Sequence, residues 1–80
     1  MKTTLDRVRE NAADIFAVPL NSLTAESSPE SIDNWDSVNH LSFILALEQE
    51  FDMVFEPSEI TQMVTIERAA RVIEDKLALA

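Results

Sequence analysis

The sequence predicts an all-α fold: a small bundle of three main helices plus one short helix, with a long loop between helices 1 and 2. Three observations predict it. Apolar residues recur at helical spacing in three separate stretches. Helix-start signals stand in front of them. No stretch alternates long enough to make a strand, although Met53-Val54-Phe55 is a short apolar run that suits extended backbone. Eighty residues are expected to form one domain, 1–80. That is near the size, roughly 70–80 residues, at which one core is only just sufficient.

The first helix is expected over residues 4–17. Thr3 and Asp6 fit a capping box, and Leu5, Val8, Ala12, Ile15 and Phe16 follow at helical spacing. Pro19 ends it, because proline lacks an N–H and pushes Val18 toward extended geometry. Residues 18–35 then carry Pro19, Asn21, Ser22, Thr24, Ser27, Ser28, Pro29, Ser31, Asp33 and Asn34. Loops beyond ~12–15 residues are uncommon unless functional or disordered. Leu20, Leu23 and Ile32 are expected to pin this one to the core.

Asp36 suits the N-cap of a second helix, 37–51, with Ser37 at its first position. Pro57 suits the first position of a short third helix, 57–63, with Ile60 and Met63 facing inward. Thr65 caps a fourth helix whose apolar stripe is Ile66, Ala69, Ala70, Ile73 and Leu77.

Composition excludes several functions. Fifteen acidic residues against six basic ones give a formal net charge of −9. Such a surface repels nucleic acid and anionic membranes and attracts partners bearing Lys and Arg patches. Cysteine is absent, which removes disulfides and thiolate metal sites. Glycine is absent too, which removes Gly-rich phosphate loops, the EF-hand loop and the dinucleotide fingerprint. No metal site is expected, and loose divalent binding at Glu48, Glu50, Asp52, Glu56 or Glu59 would be electrostatic relief. The apolar runs are far short of a membrane span, and the run from Met1 to Arg7 turns amphipathic without an apolar signal core. A cytoplasmic monomer is the expectation.

The second helix has a surplus of apolar surface. Phe43, Leu47, Phe51 and Ile44 occupy one sector, and Leu41, Leu45 and Val38 continue the arc to about 220°, whereas a core-facing stripe needs only about 100°. Two readings stand at this point: a central helix packed on several neighbours, or a partly exposed patch of Val38, Leu41 and Leu45 for partner proteins. Asp36, Glu48, Glu56 and Glu59 would steer a basic partner onto that patch.

The stretch Asp36-Ser37-Val38, followed by Asn39-His40-Leu41-Ser42-Phe43-Ile44-Leu45-Ala46-Leu47-Glu48-Gln49-Glu50-Phe51, resembles the acyl carrier protein family. That family typically shows an Asp-Ser-Leu triplet opening helix 2 and an apolar helix ending in Ala-Leu-Glu-x-x-Phe. The order of elements along the whole chain is similar as well, down to the Thr-Ile opening of the fourth helix. The resemblance implies no enzyme activity. It implies that Ser37 accepts 4′-phosphopantetheine from coenzyme A through a separate phosphopantetheinyl transferase. The arm's thiol then carries an acyl or aminoacyl group as a thioester between loading and accepting enzymes with basic docking surfaces. It places Asp36 near the transferase's Mg²⁺. On the carrier reading, the exposed half of the helix 2 arc, Val38, Leu41 and Leu45 with Glu48, is expected to be the partner-facing surface.

Three departures matter. Val38 stands where leucine is usual. Asn39 and Ser42 stand where carriers of fatty acid synthesis typically have acids, which favours a specialised carrier serving a dedicated pathway. Trp35 replaces a small residue and reads either as a core plug or as a binding element. Two rival functions remain. His40, three residues after Ser37, invites a hydrolase reading, but a dyad also needs an oxyanion hole and a cleft. His40 falls within the apolar arc, at the core entrance or beside a cargo pocket. An unmodified helical adaptor, binding one partner through the helix 2 patch, is the alternative from another class.

Overall fold

A computed structural model describes residues 2–79; Met1 and Ala80, the ends of the expected 1–80 domain, lie outside the described residues. The chain forms α1 (Thr4–Phe16), a 3₁₀ turn (Leu20–Ser22), α2 (Ser37–Phe51), α3 (Pro57–Gln62) and α4 (Ile66–Leu79). The fold is all-α as expected, with three long helices, one short one, and no strand among the described residues. Met53-Val54-Phe55 links α2 to α3 as irregular backbone.

Helix starts follow the sequence signals closely. The Asp6 amide donates to Thr3 Oγ1 at 3.1 Å and the Thr3 amide to Asp6 Oδ2 at 3.2 Å, completing the capping box. Pro57 opens α3, where its missing N–H costs nothing. The Arg68 amide donates to Thr65 Oγ1 at 3.0 Å at the head of α4.

Helix ends are where the missing glycine shows. Ala17 (φ 55°, ψ 49°) and Asp52 (φ 52°, ψ 56°) take the left-handed position just past α1 and α2. From there the Val18 amide reaches Ala13 O and the Met53 amide reaches Glu48 O, each at 3.1 Å. Helix α1 therefore stops one residue short of the expected 17. Aspartate tolerates this geometry, whereas alanine's Cβ crowds the carbonyl.

The core is built from Val8, Ala12 and Phe16 of α1, Phe43, Ile44 and Leu47 of α2, and Ile66, Ala69, Ala70 and Ile73 of α4. Helix α1 packs on both α2 and α4, and α3 lies against α4. Met63 is buried just past α3, and Ile60 packs at the core's edge. Leu77 departs from the expected stripe: the core ends at Ile73, and Leu77 is exposed beside Phe51 and Met53.

The 18–35 loop is tied down at several points. Leu23, Ile32 and Trp35 are buried. Leu20, expected as an anchor, is instead exposed, and its backbone holds the loop: Arg9 donates to Leu20 O at 3.1 Å and to Leu23 O at 3.2 Å. Buried Ser27 accepts from the Thr24 amide at 2.9 Å. The carbonyls of Ser27 and Ala25 then accept the Ile66 and Glu67 amides at 3.2 and 2.9 Å, satisfying donors that the first turn of α4 leaves open. No described helix is long and apolar enough to cross a membrane.

Ala17→Gly removes the Cβ from a left-handed, exposed position, so the folded state gains more than the unfolded chain's added freedom takes away. The variant is expected to be more stable by about 0.5–1 kcal/mol, read as a higher urea midpoint at unchanged slope.

Candidate functional site

The tip of α2 is built by its cap. Asp36, in extended geometry, accepts the Asn39 amide through Oδ1 at 2.9 Å, and its carbonyl accepts the His40 amide at 2.8 Å. The Ser37 and Val38 amides are left at the helix's positive end. The Asn39 side chain donates to Asn34 O at 2.7 Å, and Asn34 donates to Phe16 O at 2.8 Å, which fixes the incoming loop against the end of α1. Ser42 donates to Val38 O at 3.3 Å. Ser37 takes part in none of these bonds, and it is exposed.

Beneath that tip lies an aromatic cluster. The Trp35 indole stacks on Phe16 with centroids 4.7 Å apart and meets Phe43 edge-on at 5.5 Å; Phe16 and Phe43 are 5.4 Å apart. Trp35 is 3 % exposed, so of its two sequence readings the core plug holds. Its Nε1–H donates to His40 Nδ1 at 2.9 Å, and His40 Nε2 lies 3.2 Å from the Ile60 carbonyl. An indole nitrogen only donates, so Nδ1 is the acceptor and Nε2 carries the proton it gives to Ile60 O. Both ring nitrogens are thereby engaged. Neither nitrogen of His40 is hydrogen-bonded to Ser37, so the pair does not form a dyad in this arrangement.

A shallow cleft of ≈ 360 Å³ opens beside Ser37, lined by Pro29, Trp35, Asp36, His40 and Val64. It joins three parts of the chain: the long loop, the start of α2 and the link between α3 and α4. Nothing in the local sequence announces this meeting. The Trp35–His40–Ile60 chain was equally hidden, since its members come from a loop and two helices.

The surplus apolar surface of α2 divides cleanly. Phe43, Ile44 and Leu47 are buried, whereas Val38, Leu41 and Leu45 are 72 %, 56 % and 58 % exposed. Those three occupy successive turns of one face and leave the Ser37 end as a continuous apolar stripe. The acids beside it differ in their freedom. Glu48 Oε2 accepts the Phe55 amide at 2.9 Å, so this carboxylate also organises the α2–α3 link. Glu59 accepts the Glu56 amide at 2.8 Å and pairs with Lys76 at 3.0 Å. Glu50 pairs with Arg7 at 2.8 Å, with the guanidinium 4.2 Å above the Phe51 ring. Asp36 keeps its second oxygen free of these bonds. Among the described residues, no group of three or more His, Asp or Glu is arranged to hold a metal ion.

Fold and site together define a small acidic helical domain that presents one serine at the tip of a capped helix, with an apolar stripe running away from it. No family model matches the chain. It is 37% identical over 70 residues to the chloroplastic acyl carrier protein 4 of Arabidopsis thaliana, a match covering 88% of this chain and 48% of that relative. The chain thus spans about half the length of the curated relative it matches. A stretch that long within 80 residues necessarily contains α2 and its Asp36-Ser37 cap. The chain belongs to the acyl carrier protein family.

The Glu56 amide first, and the Lys76 ammonium second, hold the Glu59 carboxyl below its ordinary value. An unfolded glutamate titrates at about 4.3, so this group's stabilising contribution is complete above that pH and is lost as pH falls through the lower folded value. Wild type is expected to lose more stability than Glu59→Gln between about pH 5 and pH 3, in urea titrations across that window.

Proposed function

We propose that this chain is a carrier domain. Ser37 takes a 4′-phosphopantetheine arm from coenzyme A, and the loaded arm delivers an acyl group to partner enzymes of a dedicated biosynthetic pathway. The observation that supports this reading is the exposed Ser37 hydroxyl, free of the hydrogen bonds around it, at the tip of a capped helix in an acyl carrier protein family chain.

Attachment forms one bond and breaks one. Ser37 Oγ bonds to the phosphorus of coenzyme A that bears the pantetheine, the pyrophosphate P–O bond breaks, and 3′,5′-ADP leaves. The hydroxyl proton passes to a base of the transferase. The arm supplies a flexible terminal thiol that holds the acyl group as a thioester. The chain itself supplies placement. The α2 terminus favours the phosphodiester's negative charge by roughly 0.3–1 kcal/mol at an exposed site. The free Asp36 oxygen is available to the Mg²⁺ of the transferase reaction.

Val38, Leu41 and Leu45 form the partner-facing surface, with Glu48 at its far end. Asn39 and Ser42 leave that surface less acidic at its centre than a general fatty-acid carrier's, and this supports a dedicated pathway. Exposed apolar residues on successive turns give a partner a compact anchor, and the charged rim sets orientation more than affinity.

Intact-mass analysis after incubation with coenzyme A, Mg²⁺ and a broad-specificity phosphopantetheinyl transferase tests the attachment. One added phosphopantetheine on wild type and none on Ser37→Ala is the expected result. No addition to folded wild type with several transferases would favour the unmodified adaptor working through the same stripe. Leu45→Glu is expected to lower kcat/KM for the transferase by about tenfold while the unfolding midpoint stays near wild type. Gross unfolding of that variant would count against Leu45 as a docking residue.

A further inference from the structure

The stripe on α2 is not the only apolar surface left open. At the other end of that helix, about 21 Å from Ser37 at 1.5 Å per residue, Val54, Leu77 and Leu79 are 75 %, 45 % and 87 % exposed. Leu77 and Leu79, with the half-buried Phe51 and Met53, line a shallow groove of ≈ 310 Å³ between the ends of α2 and α4. Val54 follows Met53 on the link to α3. We propose that this groove is a second docking surface, taking a basic protein helix with apolar anchors while the Ser37 end stays open to an enzyme. The docking stands on the groove alone; its use to a carrier rests on the reading above.

Charge selects the occupant. Lys76 and Arg7 lie at this end, and both are engaged within the chain. Lys76 pairs with Glu59 at 3.0 Å, and Arg7 pairs with Glu50 at 2.8 Å while its guanidinium covers the Phe51 ring. Three acids beside the groove are not engaged in this way. Asp52 lines it, Glu74 and Asp75 precede Leu77 and Leu79 by three and four residues, and all three are exposed. None of them enters an ion pair among the described residues. The rim is therefore negative around an apolar floor, which fits a helix with aliphatic anchors flanked by Lys or Arg. A second copy, itself carrying a charge of −9, would bring like charges to that rim. An anionic membrane is repelled for the same reason.

The separation of the two ends gives the groove a use. A partner seated here leaves the Asp36-Ser37 tip and the stripe of Val38, Leu41 and Leu45 uncovered. Held at one end, the chain presents Ser37 to an enzyme at an effective concentration set by the holder and not by free diffusion.

The probe is a synthetic helical peptide with leucines along one face and lysines along the other; a matched peptide has glutamate for every lysine. Each is titrated into the full chain with labelled Leu, Ile and Val methyl groups and followed by NMR. The lysine peptide is expected to shift the Val54, Leu77 and Leu79 methyls and to bind there about tenfold more tightly than the glutamate peptide. With Val54→Ser and Leu79→Ser combined, the Leu77 shift is expected to need about tenfold more peptide, while Leu41 and Leu45 keep their wild-type midpoint. Both replaced side chains are largely exposed, and the buried Leu47 and Ile73 methyl signals check that the fold survives. Because the chain has no cysteine, a single Val54→Cys thiol can hold the peptide at this end through a disulfide. Phosphopantetheine transfer to Ser37 in that conjugate is expected to keep its kcat/KM within about twofold of the free chain.

Shifts confined to Val38, Leu41 and Leu45, or equal affinity for the two peptides, would overturn the docking surface. A concentration-dependent dimer in sedimentation, lost with Leu79→Ser, would give the groove to a second copy and overturn the basic partner. Loss of transfer in the conjugate would overturn the claim that the Ser37 end stays open. Absence of transfer to the free wild type would overturn the carrier reading and leave the peptide result standing.

Discussion

The packing of the Trp35 indole is the constraint on which the rest of this structure depends. One ring face stacks on Phe16 at the end of α1, its plane meets Phe43 of α2 edge-on, and its N–H holds His40. The end of α1, the end of the long loop and α2 are thus joined within two residues of Ser37. Aromatic pairs of this kind contribute about 0.5–1.5 kcal/mol each beyond the area they bury. In a domain with so small a core, two such pairs are a large share of the stability available. The same packing fixes the direction from which the chain enters α2, and so fixes where the serine is presented.

A chain without glycine must make its turns by other means, and the consequences run through the fold. Left-handed geometry falls on Ala17 and Asp52, and the long loop is held by side-chain bonds of its own Ser27 and Asn34 and of Asn39 from α2. Carbonyls of that loop complete the N-terminus of α4. The loop is a structural part of the bundle as much as a connection. Its final residues hold the site in place, which is why its length goes with burial of Leu23, Ile32 and Trp35.

Charge and apolar surface are arranged separately on this molecule. Several acids that look free in the sequence are engaged internally: Glu48 with the Phe55 amide, Glu50 with Arg7, and Glu59 with the Glu56 amide and Lys76. What remains around the serine is the Asp36 carboxylate and an uncharged stripe of Val38, Leu41 and Leu45. The net charge of −9 is thus a property of the whole surface, while the face next to the serine is apolar.

The sequence by itself determined the helices, their starts and the serine's place. Caps and proline act within a few residues, and an amphipathic stripe is a property of one segment, so Thr3-Asp6, Asp36, Pro57 and Thr65 were all legible. Asp36-Ser37 and the run to Phe51 carried the family pattern for the same reason. Only the tertiary structure decided which half of the α2 arc is buried, that Leu20 and Leu77 lie outside the core, and that Trp35 fills it. It alone brought His40 to Ile60 and Val64 to the cleft beside Ser37. Those outcomes depend on which segments meet, and a residue's local sequence does not record what will be packed against it.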